Sequence, residues 1–281
     1  MKIEIRYDCS YNYAKRVTFS PHLFRLIPKV DRYLKVRKFD FRANRTAVVN
    51  WRRDIFDNEV ASCFYPDPAR KLTARLRLQL EVMEKNAFGF LLDSHALDIP
   101  FSYKPEEAHM LSPYLDGAVP APAMGFWTPP ATPRPTIETL ISLNDAIHDS
   151  LEYERREEGE ARASAETLTL GRGACRDFAV LLVDVLRGLG LAARHASGYL
   201  CEFGEGEKRA EGALHAWIEV YLPGAGWVGM DPTNGTFCDH HHITAAVGLT
   251  TADIAPVVGS YYNKQHVPHE MTATLEITPH G

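Results

Sequence analysis

Residues 171–200, GRGACRDFAVLLVDVLRGLGLAARHASGYL, carry the clearest structural signal in the chain. The two glycines before Cys175 allow a tight turn. The apolar residues after Cys175 recur at helical spacing and surround most of the helix, which is typical of a buried helix. Gly190 is suited to end that helix, and Ala193–Leu200 is predicted to be a strand.

Two further strands are predicted downstream, at His215–Leu222 and Trp227–Met230, with a turn at 231–235. Met271–Ile277 alternates apolar and polar residues, which predicts another strand. One central helix followed by successive strands favours an α+β core with a mainly antiparallel sheet.

The first third of the chain is predicted to be β-rich. Arg75–Val82 alternates apolar and polar side chains with period 2, and Tyr33–Phe41 and Thr46–Trp51 do so less regularly. The step 57–59, Asp-Asn-Glu, predicts a hairpin turn. Several short strands indicate a sandwich-like or barrel-like N-terminal domain.

A proline-rich stretch divides the chain. Residues 119–135, VPAPAMGFWTPPATPRP, cannot continue a helix or a strand ladder and are predicted to be a linker. The predicted domains are therefore 1–118, β-rich, and 136–281, α+β. A helix is expected from Thr136, and the charged run 152–162 is interpreted as a solvated face or loop.

Composition limits the class of protein. The 281 residues are 45% hydrophobic and 24% charged, enough for a sizeable core without a disulfide or metal staple. A net charge of -5 argues against a nucleic-acid partner. The chain lacks a run of about 18 apolar residues and an apolar signal core at its start, so neither a membrane span nor secretion is expected. Five widely spaced cysteines fit a reducing compartment, and we expect a cytoplasmic protein.

Three residues together predict thiol chemistry. Cys175 opens the buried helix, where unpaired backbone N–H groups favour a thiolate and can hold an oxyanion. A nucleophilic cysteine needs an imidazole base with a partner that sets its tautomer. His215 begins one predicted strand and Asp231 ends the next, so a hairpin would bring them together. Singly, these residues have ordinary structural interpretations, and the hypothesis depends on the three together.

At this level of detail the chain resembles the transglutaminase-like superfamily, in particular its bacterial branch of cysteine proteases. The resemblance covers most of the chain and is weakest at about 85–135. It is carried by the following motifs: GRGACRDFA at 171–179, LHAWIEVYLPGAGWVGMDPTNG at 214–235, AVGLTTADIAPVVGSY at 246–261, SPHLFRLIP at 20–28, and DIFDNEVASCFYP at 54–66.

The resemblance implies a papain-like, transglutaminase-like catalytic core behind a β-rich N-terminal domain. By motif position, Cys175 would be the nucleophile, His215 the general base and acid, and Asp231 the residue that orients it. The implied reaction is attack on an amide or peptide carbonyl of a protein or peptide substrate, giving a thioester that water or an amine resolves. No cofactor is expected and no calcium is required, because no DxDxDG-type loop is present.

Several alternatives stay open. The chain could be a catalytically silent module that binds peptides or proteins. In the run 239–242, Asp-His-His-His, His240 and His242 would share a strand face and could chelate a metal, although we expect no metal site. Arg176 and Asp177 are interpreted as a structural ion pair rather than as substrate contacts. Hydrolysis and transamidation are not distinguished, and self-association is possible.

Overall fold

The computed structural model describes residues 1–115, 124–156, 159–201, 213–263 and 265–279. The first part of the predicted linker, 119–123, and two positions of the charged run, 157–158, lie outside these described residues.

Strands predominate at both ends of the chain, and the four α-helices of the described residues lie between Pro105 and Gly188. In chain order the strands are β1 Lys2–Phe19, β2 His22–Phe24, β3 Leu34–Ala43, β4 Val48–Arg53, β5 Glu59–Phe64, β6 Ala69–Val82, β7 Asp98–Ile99, β8 Arg134–Pro135, β9 Glu152–Tyr153, β10 Arg172–Gly173, β11 Ala193–Leu200, β12 Ala213–Leu222, β13 Gly226–Asp231, β14 Thr236–Phe237, β15 His242–Gly248, β16 Val257–Val258, β17 Tyr261–Tyr262 and β18 His269–Pro279. The α-helices are α1 Pro105–Leu115, α2 Thr136–Ser150, α3 Ser164–Leu170 and α4 Cys175–Gly188.

The N-terminal region is built from two antiparallel sheets. One has the order β17-β1-β6-β3 with β18 also paired to β1, and the other has the order β16-β2-β5-β4. The period-2 pattern places alternate residues of β1 and β6, such as Ile5 and Leu78, in the core. Both sheets contribute to that core, where Phe24 of β2 packs on Phe41 of β3. The predicted β-rich N-terminal domain is confirmed.

A further sheet of five strands has the order β14-β13-β12-β11-β15. Every pairing within this five-stranded sheet is antiparallel. Helix α4 packs on this sheet, and its residues Phe178 and Leu182 share one buried cluster with Ile218 of β12. The helix ends before Gly190, whose φ of 78° is a left-handed conformation that favours glycine. The α+β, papain-like fold class is confirmed.

The two regions share a continuous core. Tyr199 of β11 and Ile243 of β15 are buried among the residues of the N-terminal sheets. The hydroxyl group of Tyr199 donates a 2.7 Å hydrogen bond to the backbone carbonyl of Leu26. Tyr199 pairs with Leu214, which lies four residues before Ile218 on β12 and therefore on the same face of the sheet. The N-terminal region thus packs at one end of the face that α4 covers.

Two segments lie differently from the predicted domain ranges. Strand β18, placed in the 136–281 domain by its position in the sequence, pairs along β1, with Ile277 fully buried beside Ile5. Conversely, Ile99, within the predicted 1–118 domain, is buried with α2 and α4. Burial sets these positions, because each segment places its apolar side chains in the nearest available core. Among the described residues, no helix is both long and apolar enough to span a membrane.

Candidate active site

Cys175 is the first residue of α4, as the sequence predicts. Ala174 before it is extended, with φ of -83° and ψ of 168°, so the chain enters the helix at the cysteine. The Cys175 side chain is half-buried and packs on a small apolar cluster that includes Ala216 and Ile254. The thiol therefore lies at a helix N-terminus, where the dipole and the backbone N–H groups favour a negative charge.

Asp177 fixes this helix start. Its carboxylate is fully buried and accepts the backbone N–H groups of Ala174 and Arg162, each at 2.8 Å. Arg156 donates from Nη2 to both carboxylate oxygens, at 2.6 and 2.9 Å. Gly173 lies so close that an added Cβ would be 2.8 Å from Asp177 Cβ. The glycine in the turn is therefore required by the close approach of this carboxylate.

One expectation about these charges is corrected. Asp177 pairs with Arg156 rather than with Arg176, whose Nη1 donates to the Arg156 carbonyl at 2.9 Å. The described part of the run 152–162 is mostly exposed loop, as interpreted, but the side chain of Arg162 within it is only 16% exposed. A buried carboxylate needs charged or N–H donors, and the run supplies them.

His215 lies between Cys175 and Asp231. Its ring Nε2 is 2.8 Å from Asp231 Oδ2, and its side chain is 7% exposed. A second side-chain hydrogen bond joins His215 to Cys175. Because an ionised carboxylate only accepts, Nε2 carries a proton, which leaves Nδ1 as the ring nitrogen for the thiol. The sequence predicted this proximity, and the antiparallel pairing of β12 with β13 produces it.

The protonation of His215 is set by opposing effects. Burial lowers the pKa of His215, but the hydrogen bonds to Asp231 and Cys175 outweigh it and raise the pKa to about 9. Charge at Cys175 and Asp231 acts in the same direction. At neutral pH the imidazole is therefore positively charged and can stabilise a thiolate beside it.

Asp231 is the acceptor that organises this cluster. It is fully buried at the end of β13, and Oδ2 faces His215, His242 and the side-chain amide of Asn234, which donates at 2.8 Å. Oδ1 accepts the backbone N–H of Thr233 at 3.0 Å. Burial raises the pKa of Asp231, but hydrogen bonds from the two histidines outweigh it and hold the pKa well below its usual range. Asp231 therefore remains an anion.

His242 is the residue that sequence reasoning missed. Its Nε2 is 3.1 Å from Asp231 Oδ2, and its side chain is only 6% exposed. The metal hypothesis placed it on one strand face with His240, but His240 lies in the turn before β15. His242 begins that strand and contacts the buried carboxylate instead. No local pattern indicates this contact, because three strand pairings separate β15 from β13 in the sheet.

One group of side chains in the described residues has donor atoms close enough for an ion. Those of Asp239, His240 and His241 all lie within 4.8 Å of one another. Hydrogen bonds already account for this arrangement, since Asp239 Oδ1 accepts the backbone N–H of His241 at 2.8 Å and the ring Nδ1 lies 2.9 Å from Oδ2. We assign no metal to this turn.

Cys175 differs from the other cysteines in its accessibility. Cys9, Cys63, Cys201 and Cys238 are all buried, whereas Cys175 is half-buried. Burial raises the pKa of each of these four thiols, to about 12 at Cys201 and about 11 at Cys63 and Cys238. The buried thiols are therefore protonated at neutral pH and shielded from reagents.

Two aromatic residues that could have lined a cleft are core residues. Tyr199 is fully buried between the two regions. Trp217 is 1% exposed, and its ring lies 6.1 Å from the ring of His215 and 5.5 Å from that of His242, centroid to centroid. Trp217 thus packs beneath both histidines.

Comparison with known families agrees with this geometry. Residues 129–232 match the model of the transglutaminase-like superfamily, and residues 3–81 match that of the bacterial transglutaminase-like N-terminal region. The chain belongs to the transglutaminase-like superfamily. The first match contains Cys175, His215 and Asp231, and the second covers most of the N-terminal β-sheets.

Two of the curated relatives come from mycobacteria. An uncharacterized protein of Mycobacterium tuberculosis is 35% identical over 136 residues, which is 46% of this chain and 43% of that protein. One of Mycobacterium leprae is 34% identical over 143 residues, 50% of each chain. The matches thus span about half of these relatives, or less.

A solved structure shares the fold along almost the whole chain. It comes from Cytophaga hutchinsonii and is provisionally named a cysteine protease. The TM-score is 0.68 at 15% sequence identity, covering 99% of this chain and 97% of the other. At that identity the likeness concerns the fold alone, and it includes both the N-terminal region and the transglutaminase-like core.

Proposed function

We propose that this chain is a thiol-dependent enzyme that attacks amide or peptide carbonyls through Cys175, His215 and Asp231. The observation that carries the proposal is the position of His215, hydrogen-bonded to Asp231 at 2.8 Å on one side and to Cys175 on the other. Nucleophile, base and orienting acid are the elements of covalent acyl transfer.

The chemistry follows from the protonation states. With its pKa raised to about 9, His215 is an imidazolium at neutral pH. A neighbouring positive charge and a helix N-terminus both favour the thiolate form of a cysteine as the nucleophile. The thiolate sulfur bonds to the substrate carbonyl carbon, and backbone N–H groups at the α4 N-terminus stabilise the resulting oxyanion. The imidazolium gives its proton to the departing amine as the C–N bond breaks, leaving a thioester. Neutral His215 then takes a proton from water or from an acceptor amine, which attacks the thioester and releases Cys175.

Asp231 contributes by position and charge. Its hydrogen bond holds the Nε2–H tautomer, so that Nδ1 faces the thiol. Its negative charge stabilises the imidazolium that forms during the reaction. The proposed substrates are proteins or peptides, because the superfamily chemistry acts on carboxamides and peptide bonds.

The first test is the alkylation rate of each cysteine against pH, measured site by site by mass spectrometry. We expect Cys175 to react with iodoacetamide at least about tenfold faster at pH 7 than an unactivated thiol, whose pKa is about 8.5. Cys63 and Cys201, which are buried, are internal references and should remain unreacted. A Cys175 that titrates like an ordinary thiol would contradict the proposal and favour a binding module.

The second test concerns turnover. A panel of peptide and carboxamide substrates, with and without a primary amine, is compared between wild type and Cys175→Ala. Amine incorporation would identify a transamidase, and release of free acid or cleaved peptide would identify a hydrolase. Full activity in Cys175→Ala with the fold intact would refute the thiol mechanism. Cys63→Ala, at a buried thiol in strand β5 of the N-terminal sheets, is the matched control.

A further inference from the structure

His242 is a second histidine that contacts the carboxylate of Asp231. Its Nε2 is 3.1 Å from Oδ2, the same oxygen that His215 Nε2 reaches at 2.8 Å. Strands β13 and β15 are separated in the sheet by β12 and β11, so this contact forms across the end of the sheet. The Nε2 atoms of His215 and His242 must both donate a hydrogen bond to Asp231, because the ionised carboxylate can only accept.

The rest of the His242 ring is enclosed. Its Nδ1 lies 3.5 Å from Asp239 Oδ1, which places the ring between two carboxylates. The indole of Trp217 meets the ring edge-on, with centroids 5.5 Å apart at 76°. Cys238 also hydrogen-bonds to it, and burial keeps that thiol neutral. An imidazole between two buried or half-buried anions is favoured in its charged form.

The ionisable surroundings of His242 come from four elements. They are Asp231 from β13, His215 and Glu219 from β12, Cys238, Asp239, His240 and His241 from the turn before β15, and Asp145 from α2, which lines the same surface groove as His242. The two carboxylates nearest His242 are Asp231 and Asp239.

We propose that His242 is a positioning residue that holds Asp231 with a charged hydrogen bond and thereby limits the proton affinity of His215. The direction of its own pKa supports this: burial lowers the pKa of His242, but the carboxylates of Asp231 and Asp239 favour the charged ring, and the pKa lies above its ordinary value. A second cation on Oδ2 competes with the His215 imidazolium for the carboxylate charge. The inference rests on the proposed role of Asp231 toward His215.

The test asks whether the positive charge of His242, and not only its hydrogen bond to Asp231, affects His215. His242→Gln keeps a donor for Asp231 but removes the positive charge. We expect the pKa of His215, measured by NMR of ring-labelled histidines, to rise by about one pH unit. The pH midpoint of Cys175 alkylation should also move upward. Removing the positive charge of His242 leaves the site more negative, which makes a thiolate less favoured. The matched control is His240→Gln in the adjacent turn, which should leave both values unchanged.

The outcomes are distinguishable. An unchanged or lowered pKa of His215 in His242→Gln would overturn the inference, since a purely structural support would loosen Asp231 and lower it. If the variant does not fold, the wild-type spectrum decides: His242 protonated at pH 7 supports the inference, and a neutral ring refutes it. An ordinary, unactivated Cys175 in the wild type would instead refute the proposed function.

Discussion

The guanidinium group of Arg156 reaches both carboxylate oxygens of Asp177, at 2.6 and 2.9 Å. Asp177 is fully buried and lies two positions after Cys175 in the first turn of α4. The pair therefore fixes the helix start that presents the thiol, although neither residue contacts His215 or Asp231 in the described structure.

Arg156→Ala should destabilise the protein by about 3 kcal/mol, because it leaves a buried carboxylate without its charged partner. The backbone N–H donors of Ala174 and Arg162 would remain and would prevent complete loss of the turn. Urea denaturation should show a lower midpoint with an unchanged m-value. Arg45→Ala, at an exposed position of the turn between β3 and β4, is the control and should change stability by less than about 0.5 kcal/mol. Equal stability of the two variants would contradict this prediction.

The sequence could not predict this pair. A run of alternating charges such as 152–162 usually indicates solvent exposure, and its composition does not show which charge finds a buried partner. By contrast, the bounds of α4 were predictable, because glycines flank a continuous apolar pattern. Local signals of this kind depend only on neighbouring residues.

Asn58→Ala should break a contact between the β4–β5 hairpin and strand β15 of the five-stranded sheet. The fully buried Asn58 amide donates to the Val247 carbonyl at 2.8 Å and accepts the Val247 N–H at 2.9 Å. Truncation leaves both backbone groups of Val247 buried without their partner, which should cost about 3 kcal/mol of unfolding free energy. Asn50→Ala, on exposed strand β4, is the matched control. If both variants melt at the same temperature, Asn58 does not stabilise this contact.

The loss of folding stability at acid pH should depend on His195. Burial, and then the charge of Arg187, lower the pKa of His195 to about 4. The unfolded state, with a pKa near 6.5, binds the proton first, so this contribution to stability is complete above about pH 6.5 and is lost as the pH falls toward 4. The loss should reach at most about 3 kcal/mol.

The variant His195→Gln removes this titration. Its unfolding free energy, from urea denaturation at a series of pH values, should fall less steeply than that of the wild type between pH 6.5 and 4. His109→Gln, at an exposed position of α1, should retain the wild-type slope. Parallel curves for His195→Gln and wild type would show that His195 is not the responsible group.

The limits of sequence reasoning follow from long-range pairing. The alternation in Met271–Ile277 predicts a strand, but nothing local indicates that β1 is its partner. The convergence of His215 and Asp231 was predictable because a single hairpin joins their strands. His242 meets Asp231 across two intervening strands, so its contact depends on the complete sheet order.

Asp231→Asn should change the direction in which the site shifts the pKa of His215, from raised to lowered. Asparagine keeps the shape and an acceptor oxygen but removes the charge, so burial becomes the dominant influence. We expect the pKa of His215 to fall from about 9 to below its ordinary value of about 6.5, measured by NMR of ring-labelled histidines with His215→Gln for assignment. At pH 7 the imidazolium is then lost, and Cys175 alkylation should slow by about tenfold or more. Asp149→Asn, on the exposed face of α2, should change neither value. A pKa that stays near 9 in Asp231→Asn would show that Asp231 is not what keeps His215 charged.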